Sequence, residues 1–222
     1  MITTIVFDLD GTLLDTLEDL TDSVNYAIGK FGFPERTIDE IRSFVGNGIA
    51  KLIERVLPEG TANPHYGEVL KAFREYYALH CKDKTKPYAG ILELLDVLDG
   101  QGYRMAVVSN KFDAAVKELC ALYFGKRLQA AVGESENVRK KPAPDAVYRV
   151  LEELSVSADQ AVYVGDSDVD IATAANVPMT CISVTWGFRS RKQLLDAGAE
   201  EKRIITAPMQ LPALLQALSR EA

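Results

Sequence analysis

Apolar positions along the chain alternate between two periods. Short, β-branched-rich runs predict buried strands at 5–7, 104–109, 161–164 and 180–184, with a weaker one at 130–132. Between them the spacing becomes helical. Ile91, Leu92, Leu95 and Leu98 share a face, as do Ala115, Val116 and Leu119, and then Val147, Val150, Leu151 and Leu154. Strands alternating with helices predict an α/β fold with a Rossmann-like, mostly parallel sheet flanked by helices on both sides.

Residues 15–85 break this rhythm. They hold no convincing strand, but helical patterns recur over 17–31, 38–44, 49–57 and 69–79. Asp15, three residues before Glu18, predicts a capping box at the first of these helices. Polar and Pro-containing stretches at 33–35, 58–64 and 82–87 separate the patterns. The expected organisation is an α/β core of residues 1–14 and 86–222, with a small helical domain, 15–85, inserted after the first strand.

Composition narrows the range of partners. The chain has 222 residues, 47% of them apolar, and a net charge of −7 from 25 basic and 32 acidic side chains. Such a field repels nucleic acid and anionic membrane, and no Lys/Arg cluster reverses it locally. No apolar run approaches the ~18 residues of a membrane span, and no secretory signal pattern is present. Cys81, Cys120 and Cys181 are scattered, without metal-ligand spacing, and are read as buried thiols. A soluble, cytoplasmic protein acting on a small molecule is expected, as a monomer or homodimer, with neither nucleic acid nor membrane as a partner.

The chemistry gathers at the strand ends. In a parallel sheet ligands bind beyond the carboxyl ends of the strands. Asp8 and Asp10 follow the first strand, Ser109, Asn110 and Lys111 the second, Lys141-Pro142 the third, and Asp166, Ser167 and Asp170 the fourth. If these ends converge, four carboxylates crowd one cleft and require compensation. A hard divalent cation, Mg2+, together with Lys141 and an anionic phosphate ester, supplies it. Asp8 would attack phosphorus, and Asp10 would serve as acid and then base. Gly11 would let the chain turn beside the phosphate, and Thr12 would hold Asp10. Ser109 and the amides after it would bind phosphoryl oxygens, while Lys141 would neutralise developing charge. The metal would rest on Asp8, the main-chain oxygen of Asp10, and Asp166. Asp170 would orient a water or Lys141, with Ser167 beside it.

Taken in order, Asp8-Leu9-Asp10-Gly11-Thr12, Val108-Ser109-Asn110, Lys141-Pro142 and Gly165-Asp166-Ser167 with Asp170 resemble the four motifs of the haloacid dehalogenase superfamily of phosphatases. The resemblance implies that the helical insert is a cap that opens and closes over the site, hinged near 12–16 and 82–88. Val45-Gly46-Asn47-Gly48, Ser109-Asn110-Lys111 and Thr185-Trp186-Gly187-Phe188 are similar to the phosphoglycolate phosphatases of that superfamily. They imply a small substrate such as 2-phosphoglycolate, with Gly11, Thr12, Gly46, Asn47, Gly48, Ser109, Asn110 and Lys111 as the substrate-binding residues. Pyrophosphatase, nucleotide phosphatase and phosphosugar mutase activities are the alternatives; the mutase reading lacks its usual His in the first cap helix. Trp186 and Phe188 are read as packing residues, and Arg189 and Arg191 as exposed arginines that could also meet an anion.

Overall fold

A computed structural model describes residues 1–221 and separates them into two compact units, Met1–Leu14 with Pro87 onward, and Asp15–Lys86. The strands are β1 (Thr4–Phe7), β2 (Leu14–Asp15), β3 (Lys86–Pro87), β4 (Arg104–Phe112), β5 (Ala130–Glu134), β6 (Ala161–Gly165), β7 (Thr180–Val184) and β8 (Ile204–Ile205). β2 and β3 form a two-stranded ribbon where the chain passes from one unit to the other and back. The other six make one sheet in the order β5-β4-β1-β6-β7-β8, every neighbouring pair parallel.

Alternation along the strands divides the first unit into two apolar layers. Ile5, Phe7, Met105, Val107, Val162 and Val164 pack with α5 (Ile91–Gly100), α6 (Asp113–Tyr123) and α10 (Leu211–Glu221). Val6, Ala106, Val108 and Tyr163 pack on the other face with α7 (Asp145–Glu153) and α8 (Asp168–Asn176). A last short helix, α9 (Arg191–Asp196), follows β7. A parallel sheet needs cover on both faces, and this one has it.

The second unit holds α1 (Leu17–Gly29), α2 (Ile38–Phe44), α3 (Ile49–Val56) and α4 (Tyr66–His80). Helix α1 lies along α4, burying Leu20, Val24 and Ile28 on one of them and Val69, Phe73 and Tyr77 on the other. Thr37 and Glu40 close a capping box on α2.

Three local expectations change. The capping box at Asp15 does not form: α1 starts at Leu17 behind Thr16, and the carboxylate of Asp15, in extended β2, accepts the Leu17 N–H at 3.4 Å. The second core strand continues past Ser109 to Phe112, because β5 resumes pairing at Glu134 after an irregularity between Val108 and Phe112. β8 was not foreseen, since two residues show no period. Cys81 and Cys120 are buried free thiols, whereas Cys181 is half-buried. Among the described residues, no helix is long and apolar enough to cross a membrane.

Candidate active site

β1 sits inside the sheet, and the chain builds outward from it first through β4 and β5, then through β6, β7 and β8. That reversal opens a crevice at the carboxyl ends of β1, β4 and β6. Asp8 extends the ladder by donating its N–H to the Val164 carbonyl at 2.9 Å. The chain then turns back, with the amides of Leu13 and Leu14 both donating to the Leu9 carbonyl. Gly11 makes this turn with φ +90°, and a Cβ there would sit 2.5 Å from Asp166 Oδ2. At Gly165 a Cβ would strike the Asp170 carboxyl. These two glycines let the carboxylates close on the backbone.

Asp8, Asp166 and Asp170 are buried, with oxygens all within 4.8 Å of one another. Lys141, also buried, donates from Nζ to Asp8 Oδ1 at 2.6 Å, Asp170 Oδ1 at 2.7 Å and Tyr163 Oη at 3.0 Å. Asp170 is shared between two tasks. Its Oδ2 accepts the Ser167 hydroxyl at 2.6 Å and closes the capping box of α8, while its Oδ1 faces the lysine. Asp166 accepts the Phe188 N–H at 2.6 Å and the Thr12 hydroxyl at 3.4 Å.

Burial, then repulsion from Asp170, pushes the Asp8 carboxyl well above the usual range, with Lys141 pulling back only in part. The same two causes raise Asp166 to about 7, against the Phe188 N–H. Burial works against the charge of Lys141, but Asp170 and Asp8 outweigh it and hold the ammonium protonated beyond its ordinary range. One lysine thus pairs with two of three neighbouring carboxylates. Three buried carboxylates short of positive charge suit a divalent cation that prefers carboxylate oxygen; with Asp170 committed to Lys141 and Ser167, Asp8 and Asp166 are the side chains that would hold it.

The side chain of Asp10 stands apart from this trio. It is half-buried and accepts Lys111 Nζ at 2.9 Å, an ion pair whose lysine is buried. Thr12, expected to hold Asp10, instead reaches Asp166, because the turn at Gly11 carries it toward β6. Ser109 is buried, and its Oγ accepts the Lys111 N–H. Asn110 directs its carboxamide at the main chain of Lys141. Gly46, Asn47 and Gly48 lie in the helical unit between α2 and α3, all with positive φ (123°, 64° and 85°), and Arg55 donates to the Gly46 carbonyl.

One participant is missing from the sequence reading, and one differs from it. Tyr163 was read only as a strand residue, although a phenol in an aliphatic strand needs a hydroxyl partner. Arg189, expected to be exposed, keeps 12% side-chain exposure and pairs with Asp168 at 3.4 Å. Trp186 donates its indole N–H to the Thr12 carbonyl at 3.0 Å, and Phe188 is buried.

The model of the haloacid dehalogenase-like hydrolase family matches residues 5–184, and the chain belongs to that family. Among its relatives, the phosphoglycolate phosphatase of Aquifex aeolicus is 31% identical over 185 residues, covering 83% of this chain and 85% of that one. That of Mesorhizobium japonicum is 33% identical over 193 residues, 84% of each chain. A crystal structure from Lactobacillus delbrueckii subsp. bulgaricus, of a protein provisionally named a phosphoglycolate phosphatase, superposes with a TM-score of 0.90 at 37% identity, covering 94% and 96%. Within its family the chain is a phosphatase.

Proposed function

We propose that the chain is a Mg2+-dependent phosphomonoester hydrolase working through an aspartyl-phosphate, with a small metabolite, 2-phosphoglycolate, as substrate. The observation that carries this reading is the buried Lys141 ammonium set between Asp8 and Asp170, next to Asp166. A carboxylate attacking a phosphate dianion meets charge repulsion, and this arrangement offsets it.

In the first step an Asp8 oxygen bonds to phosphorus as the ester P–O bond breaks, and Asp10 protonates the departing alkoxide. In the second, water attacks the acyl phosphate, giving its proton to Asp10; inorganic phosphate leaves and the Asp8 carboxylate returns. Ser109 and the neighbouring amides bind phosphoryl oxygens, and Lys141 compensates their growing charge. Bound by Asp8, the main-chain oxygen of Asp10, and Asp166, Mg2+ would supply Lewis-acid neutralisation of the phosphoryl oxygens. Substrate selection is assigned to the Gly46-Asn47-Gly48 turn, whose amides at the start of α3 suit a carboxylate, and to Lys111. The phosphoglycolate phosphatases among the relatives support 2-phosphoglycolate as that substrate.

Asp8→Asn should lower kcat on a generic aryl phosphate by on the order of 10⁴ or more. Near-normal turnover by this variant would remove Asp8 from the nucleophile's role. In a substrate panel, kcat/KM should be highest for 2-phosphoglycolate. A higher value for pyrophosphate, a nucleotide or a sugar phosphate would overturn the substrate while leaving the chemistry intact.

A further inference from the structure

Lys141 lies outside any regular element, between β5 and α7. A lysine on a loop has many rotamers to lose, so something must hold both its root and its tip. The tip has three protons and three buried acceptors. Two are the carboxylates of Asp8 and Asp170; the third is the phenol of Tyr163, at 3.0 Å, whose own hydroxyl donates to Asp170 Oδ1 at 3.2 Å. Tyr163 is fully buried on β6 and has this one polar cluster to serve. At the root, the Lys141 N–H donates to Asn110 Oδ1 at 2.6 Å, and Asn110 Nδ2 donates to the Lys141 carbonyl at 3.1 Å. Both ends of the carboxamide are therefore engaged with one residue, in the manner of a pair of ladder bonds joining β4 to the loop.

We infer that Asn110 and Tyr163 are positioning residues for the reaction and act through Lys141. Asn110 fixes its backbone, and Tyr163 fixes its ammonium at the place where the phosphoryl oxygens gain charge. The side chain of Asn110 thus serves the lysine rather than the substrate. This inference rests on the roles proposed above for Asp8 and Lys141. It adds a distinct requirement: loss of either contact should weaken transition-state binding while leaving ground-state binding in place.

The test uses the full chain in saturating Mg2+, turning over an aryl phosphate, with orthovanadate and inorganic phosphate as competing inhibitors. Orthovanadate adopts a five-coordinate form resembling the transition state; phosphate resembles product. Tyr163→Phe, which removes only the hydroxyl, should lower kcat about tenfold with KM held within about twofold. Vanadate inhibition should weaken about tenfold, and phosphate inhibition by less than about twofold. Asn110→Ala should show the same split. The double variant should lose less than the product of the two single losses, because both act on one lysine.

A Tyr163→Phe enzyme with unchanged kcat, parallel weakening of both inhibitors, or a double variant that loses the full product would overturn the inference. The isosteric Tyr163→Phe decides alone if Asn110→Ala does not fold. Wild-type enzyme insensitive to vanadate would instead defeat the underlying reading of Asp8. Strong wild-type inhibition with an indistinguishable Tyr163→Phe defeats only the positioning roles.

Discussion

The α/β unit concentrates buried charge at one place, beside exposed ion pairs such as Lys192–Asp196, whereas the helical unit leaves nearly all of its charge at the surface. In the first, Asp8 and Asp170 are joined to Lys141 by short contacts with Asp166 beside them, Lys111 pairs with Asp10, and all of these but Asp10 are buried. In the second, ion pairs such as Lys71–Glu75, with side chains 77% and 65% exposed, stand in solvent along helix surfaces. Taking charges out of water carries a desolvation cost that mutual attraction repays only in part. Exposed pairs avoid that cost and contribute correspondingly little. A fold tolerates the first arrangement where chemistry requires concentrated charge. The helical unit holds one exception in Asp19, a buried carboxylate on α1 that accepts the main-chain N–H groups of Lys84 at 3.0 Å and Thr85 at 2.9 Å. Peptide donors, in place of a lysine, satisfy it.

The sharpest way to test the first half of this contrast is Asp10→Asn. Asp10 touches Lys111 and not the carboxylate trio, so its loss should impair proton transfer without disturbing the charge around Asp8. We expect kcat on an alkyl phosphate to fall about 10²- to 10⁴-fold, the usual range for a lost general acid–base. An aryl phosphate with an acidic leaving group needs no proton in the first step and should lose less. Equal losses on both substrates would show that Asp10 serves a structural or metal-holding role instead.

A smaller effect tests the cost of burial itself. Asp166 has its carboxyl raised from 3.8 to about 7 in the folded chain, chiefly by burial and by repulsion from Asp170. The folded state therefore holds this proton over a range where the unfolded chain has released it. Its contribution to stability is fully present below about pH 4 and is lost as pH rises through about 7. In chelator, the wild type should accordingly show a Tm that falls between pH 5 and 8 more steeply than that of Asp166→Asn. Added Mg2+ should raise the wild-type Tm more at pH 8 than at pH 5, since the cation binds the ionised carboxylates. Matching pH slopes for wild type and variant in chelator would contradict the electrostatic account.

The difference between the units also sets what can be read from the sequence. Helical periods placed α2 at 38–44 as observed and the other three insert helices within a few residues. The apolar runs located all the sheet strands longer than two residues. Each of the four strand ends was marked by the polar residues that the fold brings together. The partners of those residues were harder to anticipate. Thr12 holds Asp166 rather than Asp10, and Asn110 holds Lys141, because turns at Gly11 and after β5 decide which side chains meet. Those pairings span 154 and 31 residues, and no periodicity encodes them. Tyr163 did carry a legible signal, a hydroxyl in a strand with no place for one unless it meets a polar cluster.

The smallest predicted effects lie in the helical unit and bear on its exception. Asp19→Ala leaves the N–H groups of Lys84 and Thr85 without their buried acceptor, and each such orphan costs about 1–3 kcal/mol. For a chain of this size the Tm should fall by several degrees, about 2–4 °C for each kcal/mol lost. Lys71→Ala, which removes only an exposed partner of Glu75, should move Tm by less than about 2 °C. If the two substitutions proved equally mild, Asp19 would be one more solvated charge, and burial would not divide the units. If both proved severe, the exposed pairs of the helices would be contributing far more than solvent screening allows. A large loss at Asp19 beside a negligible one at Lys71 locates the helical unit's dependence on charge in the single carboxylate that water does not reach.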